Sequence, residues 1–486
     1  MSFATARALI DALQSRKVSA VELFDDAVAR IERHDGQINA VVVRDFERAR
    51  QSAVDADAAI ARGERRPLLG LPMTVKESFD VIGMPKTWGL PGTGSVKASD
   101  EAVAVQRLRQ AGAVIIGKSN ISTMLSDWQS YNAVYGVTNN PWDLARTPGG
   151  SSGGSAAVLA AGFVPLELGS DIGGSLRVPA HCCGIYSHKP THGLIPLRGA
   201  APPGVPTLSI GVDPDLVVAG PMARSAGDLA LALDVLAGPD DAEAIAYRLS
   251  LPAPRHTRLA DFKVFVFDDH PMMPLSDEVR TATQRFRERL EHAGCTVSSK
   301  SDLLPDLETV MRTFGQRLLG FIGGRMPPQQ YEAIRARVAG LAKTDTSDAA
   351  MEQRNLVLSH RDWLEADSAR TGVLHQWRQF FKQWDVVVCP ILPVPAYRHD
   401  HSDMSTRTLE IDGTPYPYTI QAVWQCVATL PGLPSTAFPV GLGASGLPIG
   451  LQAIGPYLED RTPIAFAELV EQAFGGFVPP PAFSQV

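Results

Sequence analysis

The sequence predicts an α/β protein, a sheet whose faces are covered by helices. Two patterns carry that expectation. Segments with apolar residues three and four positions apart alternate with short, nearly continuous apolar runs. The helical segments between successive runs are also long enough to return the chain across a sheet. Composition agrees, with 45% hydrophobic and 20% charged residues over 486 positions, enough apolar material for a large core.

Taken in order, Ser19-Ala20-Val21-Glu22 is a capping box opening a helix to about His34. Val21, Phe24, Ala27, Val28 and Ile31 form its apolar stripe, and Asp35-Gly36 is expected to end it. Ile38 to Val43 reads as a strand and Arg44 to Arg62 as a second helix. Leu68 to Val75 is an apolar run leading into Lys76. Glu101 to Ala111 reads as a helix closed by Gly112, and Ala113 to Gly117 as a buried strand. Gly153 to about Ala161 is expected to be helical and Pro165 to Gly169 a strand. Beyond Ser225-Ala226-Gly227-Asp228 a capped helix runs to Leu236. Lys263 to Phe267 and Cys295 to Ser298 read as strands flanking a helix from Asp277 to Ala293. Residues 305–382 are polar and helical in pattern, Val386 to Leu392 is a buried strand, and Val478-Pro479-Pro480-Pro481 is expected to be irregular. No internal repeat or linker divides the chain, so residues 1–486 read as a single domain. Specificity is expected to vary in the motif-poor stretch at about 305–425.

The formal net charge is -7, without a basic block, which argues against nucleic-acid binding. Five cysteines (Cys182, Cys183, Cys295, Cys389 and Cys426) without C-x-x-C spacing point to reduced thiols rather than a disulfide framework or zinc site. The N-terminus lacks signal-peptide character and no run approaches the length of a membrane span. A cytoplasmic protein without membrane contact is therefore expected.

Two glycine-serine segments carry the chemistry. In Pro148-Gly149-Gly150-Ser151-Ser152-Gly153-Gly154-Ser155 there is no Gly-Lys-Ser/Thr ending, so a phosphate loop is excluded. Gly149-x-Ser151-x-Gly153 matches a nucleophile elbow, but Asn139-Asn140-Pro141-Trp142-Asp143 upstream reads as a turn where the elbow needs a strand. A surface loop is the competing reading. In Gly169-Ser170-Asp171-Ile172-Gly173-Gly174-Ser175-Leu176-Arg177, two glycines before a serine free the backbone to aim N–H groups at an oxyanion. A tight turn would use the same residues. A helix rising about 1.5 Å per residue goes out from Ser151, and a strand rising about 3.3 Å per residue comes back to Ser175. The two serines are thereby permitted to meet at one edge of the sheet.

A serine nucleophile needs a base. His181, His188 and His192 lie in a loop-like stretch without an obvious acidic partner. His399-Asp400-His401 has metal-like spacing but no third ligand nearby. Lys76 follows the apolar Leu71-Pro72-Met73-Thr74-Val75, and burial there would lower its pKa toward neutrality. A lysine at a strand end with its head in solvent fits the local sequence as well.

These two segments closely resemble the amidase signature. So do Val178-Pro179-Ala180, Gly184, Lys189-Pro190-Thr191-His192-Gly193, Leu71 to Lys76, Gly117-Lys118-Ser119-Asn120, Gly220-Pro221-Met222-Ala223-Arg224 and Gly432-Leu433-Pro434. The resemblance covers nearly the whole chain. It implies an α/β/α sandwich around a large mixed central sheet covered by helices, and a Ser–cis-Ser–Lys triad. Ser175 matches the nucleophile, Ser151 the bridging serine after a cis Gly150–Ser151 peptide, and Lys76 the base. The N–H groups of Ile172, Gly173, Gly174 and Ser175 match the oxyanion hole. Gly149, Gly150, Ser152 and an Asp171–Arg177 pair match its support. No metal or organic cofactor is implied.

The implied activity is hydrolysis of a small amide, an aryl acylamide, an oligoamide or a carbamate, small molecules that need no nucleic acid or membrane; a homodimer is compatible. The rivals are the glutaminase subunit of a tRNA-dependent amidotransferase, which needs a partner protein, and a non-catalytic binding protein on the same fold. The latter is disfavoured because all three triad positions are filled. The chain departs from the family at Ile121-Ser122-Thr123-Met124-Leu125-Ser126-Asp127-Trp128, where many relatives carry a Pro-Glu-Phe-like sequence and Thr123 stands at the acidic position. This segment matches a wall of the substrate pocket, so Leu125 and Trp128 are the expected substrate contacts. Tyr131 and Trp424 are further candidates for an apolar acyl pocket. His181-Cys182-Cys183 is also unusual and has no functional account.

Overall fold

The structure is a computed structural model and describes residues 3–205 and 214–484. Eleven strands form one sheet: β1 Val41–Arg44, β2 Pro72–Lys76, β3 Val114–Ser119, β4 Leu166–Asp171, β5 Tyr186–Lys189, β6 Val218–Ala223, β7 Lys263–Val266, β8 Thr296–Ser298, β9 Val386–Pro390, β10 Ser435–Leu442 and β11 Pro448–Ile454. Their spatial order is β1-β3-β2-β4-β6-β5-β10-β11-β9-β7-β8. β3, β2 and β4 run parallel, as do β9, β7 and β8, while the strands between these blocks pair antiparallel. The sheet is therefore mixed, with helices on its faces.

Central strands buried on both sides read as continuous apolar runs rather than alternating ones. Val386-Val387-Val388 and Val114-Ile115-Ile116 are of this kind, every residue at 2% exposure or less. One apolar cluster joins the N-terminal helices, Gly153–Ala160 and most strands. A second gathers Phe265, Phe314, Trp377, Phe380 and Trp424 beneath the helices Leu307–Gly323 and His360–Phe380.

Local differences from the sequence reading have identifiable causes. The helix opened by Ser19 runs through Asp35-Gly36 to Ile38. It stops where Asn39 turns left-handed at φ 58°, while the Asp35 carboxylate receives the N–H groups of Ala40 and Val41. The first strand consequently begins at Val41, not Ile38. The stretch holding His188 is a strand, and β6, β10 and β11 have no counterpart in the sequence reading because prolines and glycines interrupt them. Pro481–Ser484 forms a helical turn anchored by the buried Phe483 against the His34 ring.

Candidate active site

Ser151 and Ser175 stand at the ends of a helix-out, strand-back path. The chain leaves Ser151 along the helix Gly153–Ala160 and returns along β4 into the loop that holds Ser175. The Ser152 N–H donates to the Ser175 carbonyl at 3.3 Å, so the two segments are joined directly. The Gly150–Ser151 peptide is cis. A Cβ at Gly150 would lie 2.5 Å from the Asp127 carbonyl and 2.7 Å from the Gln129 nitrogen, so only glycine lets residues 127–129 pack on this peptide. Ser130 fastens the loop, its hydroxyl donating to the Gly149 carbonyl at 3.0 Å and accepting from the Gly153 N–H at 2.9 Å. Ser152 Oγ donates to the Ser170 carbonyl.

Lys76, at the end of β2, is fully buried and its Nζ lies 2.7 Å from Ser151 Oγ and 3.0 Å from Ser170 Oγ. Burial lowers its pKa to about 7, against the opposing pull of Asp171 and Glu167. The solvent-facing alternative for this lysine is thus removed. No described residue is hydrogen-bonded to the Ser175 hydroxyl. Ser175 is 6% exposed where Ser151 is 1% and Lys76 0%, so Ser175 is the member an incoming molecule reaches.

The loop Ile172-Gly173-Gly174 is braced from below. Arg177, buried, donates to both Asp171 oxygens at 3.0 and 3.1 Å, and also to the Gln425 carbonyl, Gln452 Oε1 and Thr429 Oγ1. Burial pushes the Asp171 carboxyl up, but the adjacent Arg177 and Lys189 cations leave it below its ordinary value. Asp171 accepts the N–H groups of Gly174 at 2.8 Å and Leu176 at 3.0 Å. This corrects the expectation for Gly174, whose N–H is spent on Asp171 and is not free for an oxyanion. Among the described residues, the N–H groups of Ile172, Gly173 and Ser175 have no acceptor.

Of the expected pocket residues, Trp128 reaches the loop, its Nε1–H donating to the Gly173 carbonyl at 2.7 Å. Leu125 sits in a short turn and its N–H is taken by the Ser122 carbonyl. Tyr131 lies elsewhere, in a polar cavity with Asp127, His401 and Arg407. Its hydroxyl bonds to Asp127 and its ring stacks on His401 at 4.0 Å. Trp424 is fully buried and stacks on Phe267 in the core. His188 has the acidic partner that the sequence did not suggest, Asp460 at 3.1 Å, and is sequestered there. His181 bonds to the Gly450 and Val394 backbone.

The fold and this arrangement match known proteins. A family model described as Amidase matches residues 22–463. The chain belongs to the amidase family. The amidase is 32% identical to a glutamyl-tRNA(Gln) amidotransferase subunit of Ralstonia nicotianae, over 97% of this chain and 98% of that one. It is 29% identical to fatty-acid amide hydrolase 2-A of Danio rerio, over 98% and 90%. Among solved structures, one superposes with a TM-score of 0.81 at 28% identity, covering 96% of this chain and 98% of the other. It comes from a vestigial protein complex that bears on the evolutionary origins of an s-triazine catabolic enzyme. The amidase is an enzyme of amide hydrolysis, and no helix among its described residues is long and apolar enough to cross a membrane.

Phe314 is the site residue that the sequence did not suggest. From the helix Leu307–Gly323 its Cζ comes within 3.9 Å of a Cβ built on Gly173, with Ile172 and Trp128 in the same apolar cluster. Its helix is polar overall and carries no motif, so only tertiary packing identifies it. Ser130, Gln425 and Gln452 were equally hidden, since their partners lie on other elements.

Proposed function

We propose that Ser175 is the nucleophile, Ser151 the proton relay and Lys76 the base in hydrolysis of the C–N bond of an amide or carbamate. The observation that carries this is the contact of the buried Lys76 Nζ with Ser151 Oγ at 2.7 Å. Desolvation disfavours the ammonium, so a useful fraction of Lys76 is neutral near pH 7. Neutral Lys76 takes the Ser151 proton as Ser151 takes that of Ser175, and Ser175 Oγ bonds to the carbonyl carbon. The N–H groups of Ile172, Gly173 and Ser175 hold the oxyanion. The proton returns through Ser151 to the departing nitrogen, since an amide anion is too basic to leave at neutral pH. Water activated by the same relay then cleaves the acyl-enzyme.

Ile172, Trp128 and Phe314 beside Gly173 favour an apolar acyl group. Candidate substrates are aryl acylamides, fatty or small amides, oligoamides and carbamates. The reading takes residues 1–486 as one domain working in the cytoplasm as a monomer or homodimer. The test is a panel of anilides, primary amides and aryl carbamates with the purified chain. Turnover of anilide or carbamate without glutamine supports the reading.

A second reading is favoured by the 32% identity to an amidotransferase subunit. In that case glutamine would be the amide and a partner protein would be required. Glutamine hydrolysis only after a partner is added, with no turnover of the panel by the chain alone, would establish it instead.

A further inference from the structure

Behind Lys76 lies a second ionisable group that the proposed triad does not use. Glu167 is on β4, paired in register with Thr74 on β2, two residues before Lys76 and on the same face of that strand. It is 1% exposed. Thr74 Oγ1 donates to its Oε1 at 2.7 Å, and the Leu168 N–H to its Oε2 at 2.9 Å. The hydroxyls of Ser119 and Ser155, 2.8 Å apart, also hydrogen-bond to it. Every contact is polar and every contributor is buried at 1% exposure or less.

A carboxyl placed among four donors in a dry interior is built to hold charge, and that charge is felt at Lys76. The surrounding elements supply few competitors. β2 offers Lys76, and β4 offers Asp171, which Arg177 and Lys189 largely neutralise. Neither β6 nor the helix Gly153–Ala160 carries a charged side chain. Lys118 on β3 points away, donating to the Pro85 carbonyl near Glu77, Asp80 and Lys86.

We propose that Glu167 is a positioning residue whose carboxylate sets the proton affinity of Lys76, so that the two groups share the proton taken from the serines. The inference rests on the assignment of Lys76 as base. An ionised Glu167 stabilises the Lys76 ammonium. Removing that charge lowers the pH at which Lys76 becomes neutral. Burial, opposed by the hydrogen bonds from Thr74, Ser119 and Ser155, brings Glu167 itself to about 7, the range in which Lys76 titrates.

The test is the rate of inactivation by an alkyl fluorophosphonate between pH 5 and 9. In Glu167→Gln the acid limb should move down by about one pH unit, making the variant about tenfold faster than the parent well below the limb. Glu167→Asp should restore the parent limb, and Thr74→Val, which removes a donor to the carboxylate, should shift it in the same direction as Glu167→Gln. A limb that stays in place in Glu167→Gln and Thr74→Val, whatever their stability, overturns the proposal. Lys76→Ala separates the two claims. Undiminished labelling in Lys76→Ala refutes the triad. Lost labelling there, with an unmoved limb in the other variants, refutes the role of Glu167 alone.

Discussion

The Nζ of Lys76 and the Oγ of Ser151 are 2.7 Å apart in a fully buried contact. A lysine in this position works as a base only when neutral, so its burial and its proposed chemistry are tied together. The pH dependence follows with a definite sign. Below about 7 the amine is protonated and cannot accept from Ser151; above it, the amine is free. For an anilide substrate kcat/KM should rise with pH through about 7 and then level. Lys76→Ala should lower it by about 10²–10⁴-fold at pH 8. A flat profile in the parent enzyme would remove Lys76 from the role.

The Arg177–Asp171 pair has no solvent exposure on either side chain. Arg177→Ala leaves Asp171 charged and buried while stripping Gln425, Gln452 and Thr429 of their donor, and should cost about 3–5 kcal/mol in denaturant unfolding. Because Asp171 also holds the Gly174 and Leu176 N–H groups, any folded fraction should show reduced kcat with a smaller change in KM.

Gly150 is fixed by crowding from backbone atoms that have no room to give. Gly150→Ala should lower the thermal midpoint, with a loss of about 1–3 kcal/mol, and reduce kcat because the shift falls on the peptide that carries Ser151. A stable, fully active Gly150→Ala protein would show that residues 127–129 are not packed on this loop.

Trp128 and Phe314 flank Gly173 in different ways. Trp128→Phe removes the 2.7 Å bond to the Gly173 carbonyl, and should cost about 1 kcal/mol, read as a several-fold fall in kcat/KM. Phe314→Leu should instead raise kcat/KM for bulky acyl groups relative to acetyl. Unchanged acyl preference would place Phe314 outside the acyl pocket.

Much of this arrangement was legible where its cause is local. The capping box at Ser19, the apolar run before Lys76 and the paired glycines before Ser175 each depend on neighbours in the chain. The helix and strand between Ser151 and Ser175 could be measured out from rise per residue. What local sequence did not disclose depends on distant partners. Lys76 reads equally well as a solvated strand end until β3 and β4 are laid beside it. Trp424 and Tyr131 look like pocket aromatics until one is found in the core and the other in a polar cavity. Gly174 looks like an oxyanion donor until the Asp171 carboxylate, itself oriented by Arg177, takes its N–H. Phe314 is silent because its helix announces nothing about which face meets Gly173.

The proposed division of labour between the two serines is tested most directly by locating a covalent adduct. Treatment with an alkyl fluorophosphonate, followed by peptide mass spectrometry, should place the phosphonyl group on Ser175. Labelling should be abolished in Ser175→Ala and greatly slowed in Lys76→Ala. An adduct on Ser151, or an unchanged labelling rate without Lys76, would contradict the account.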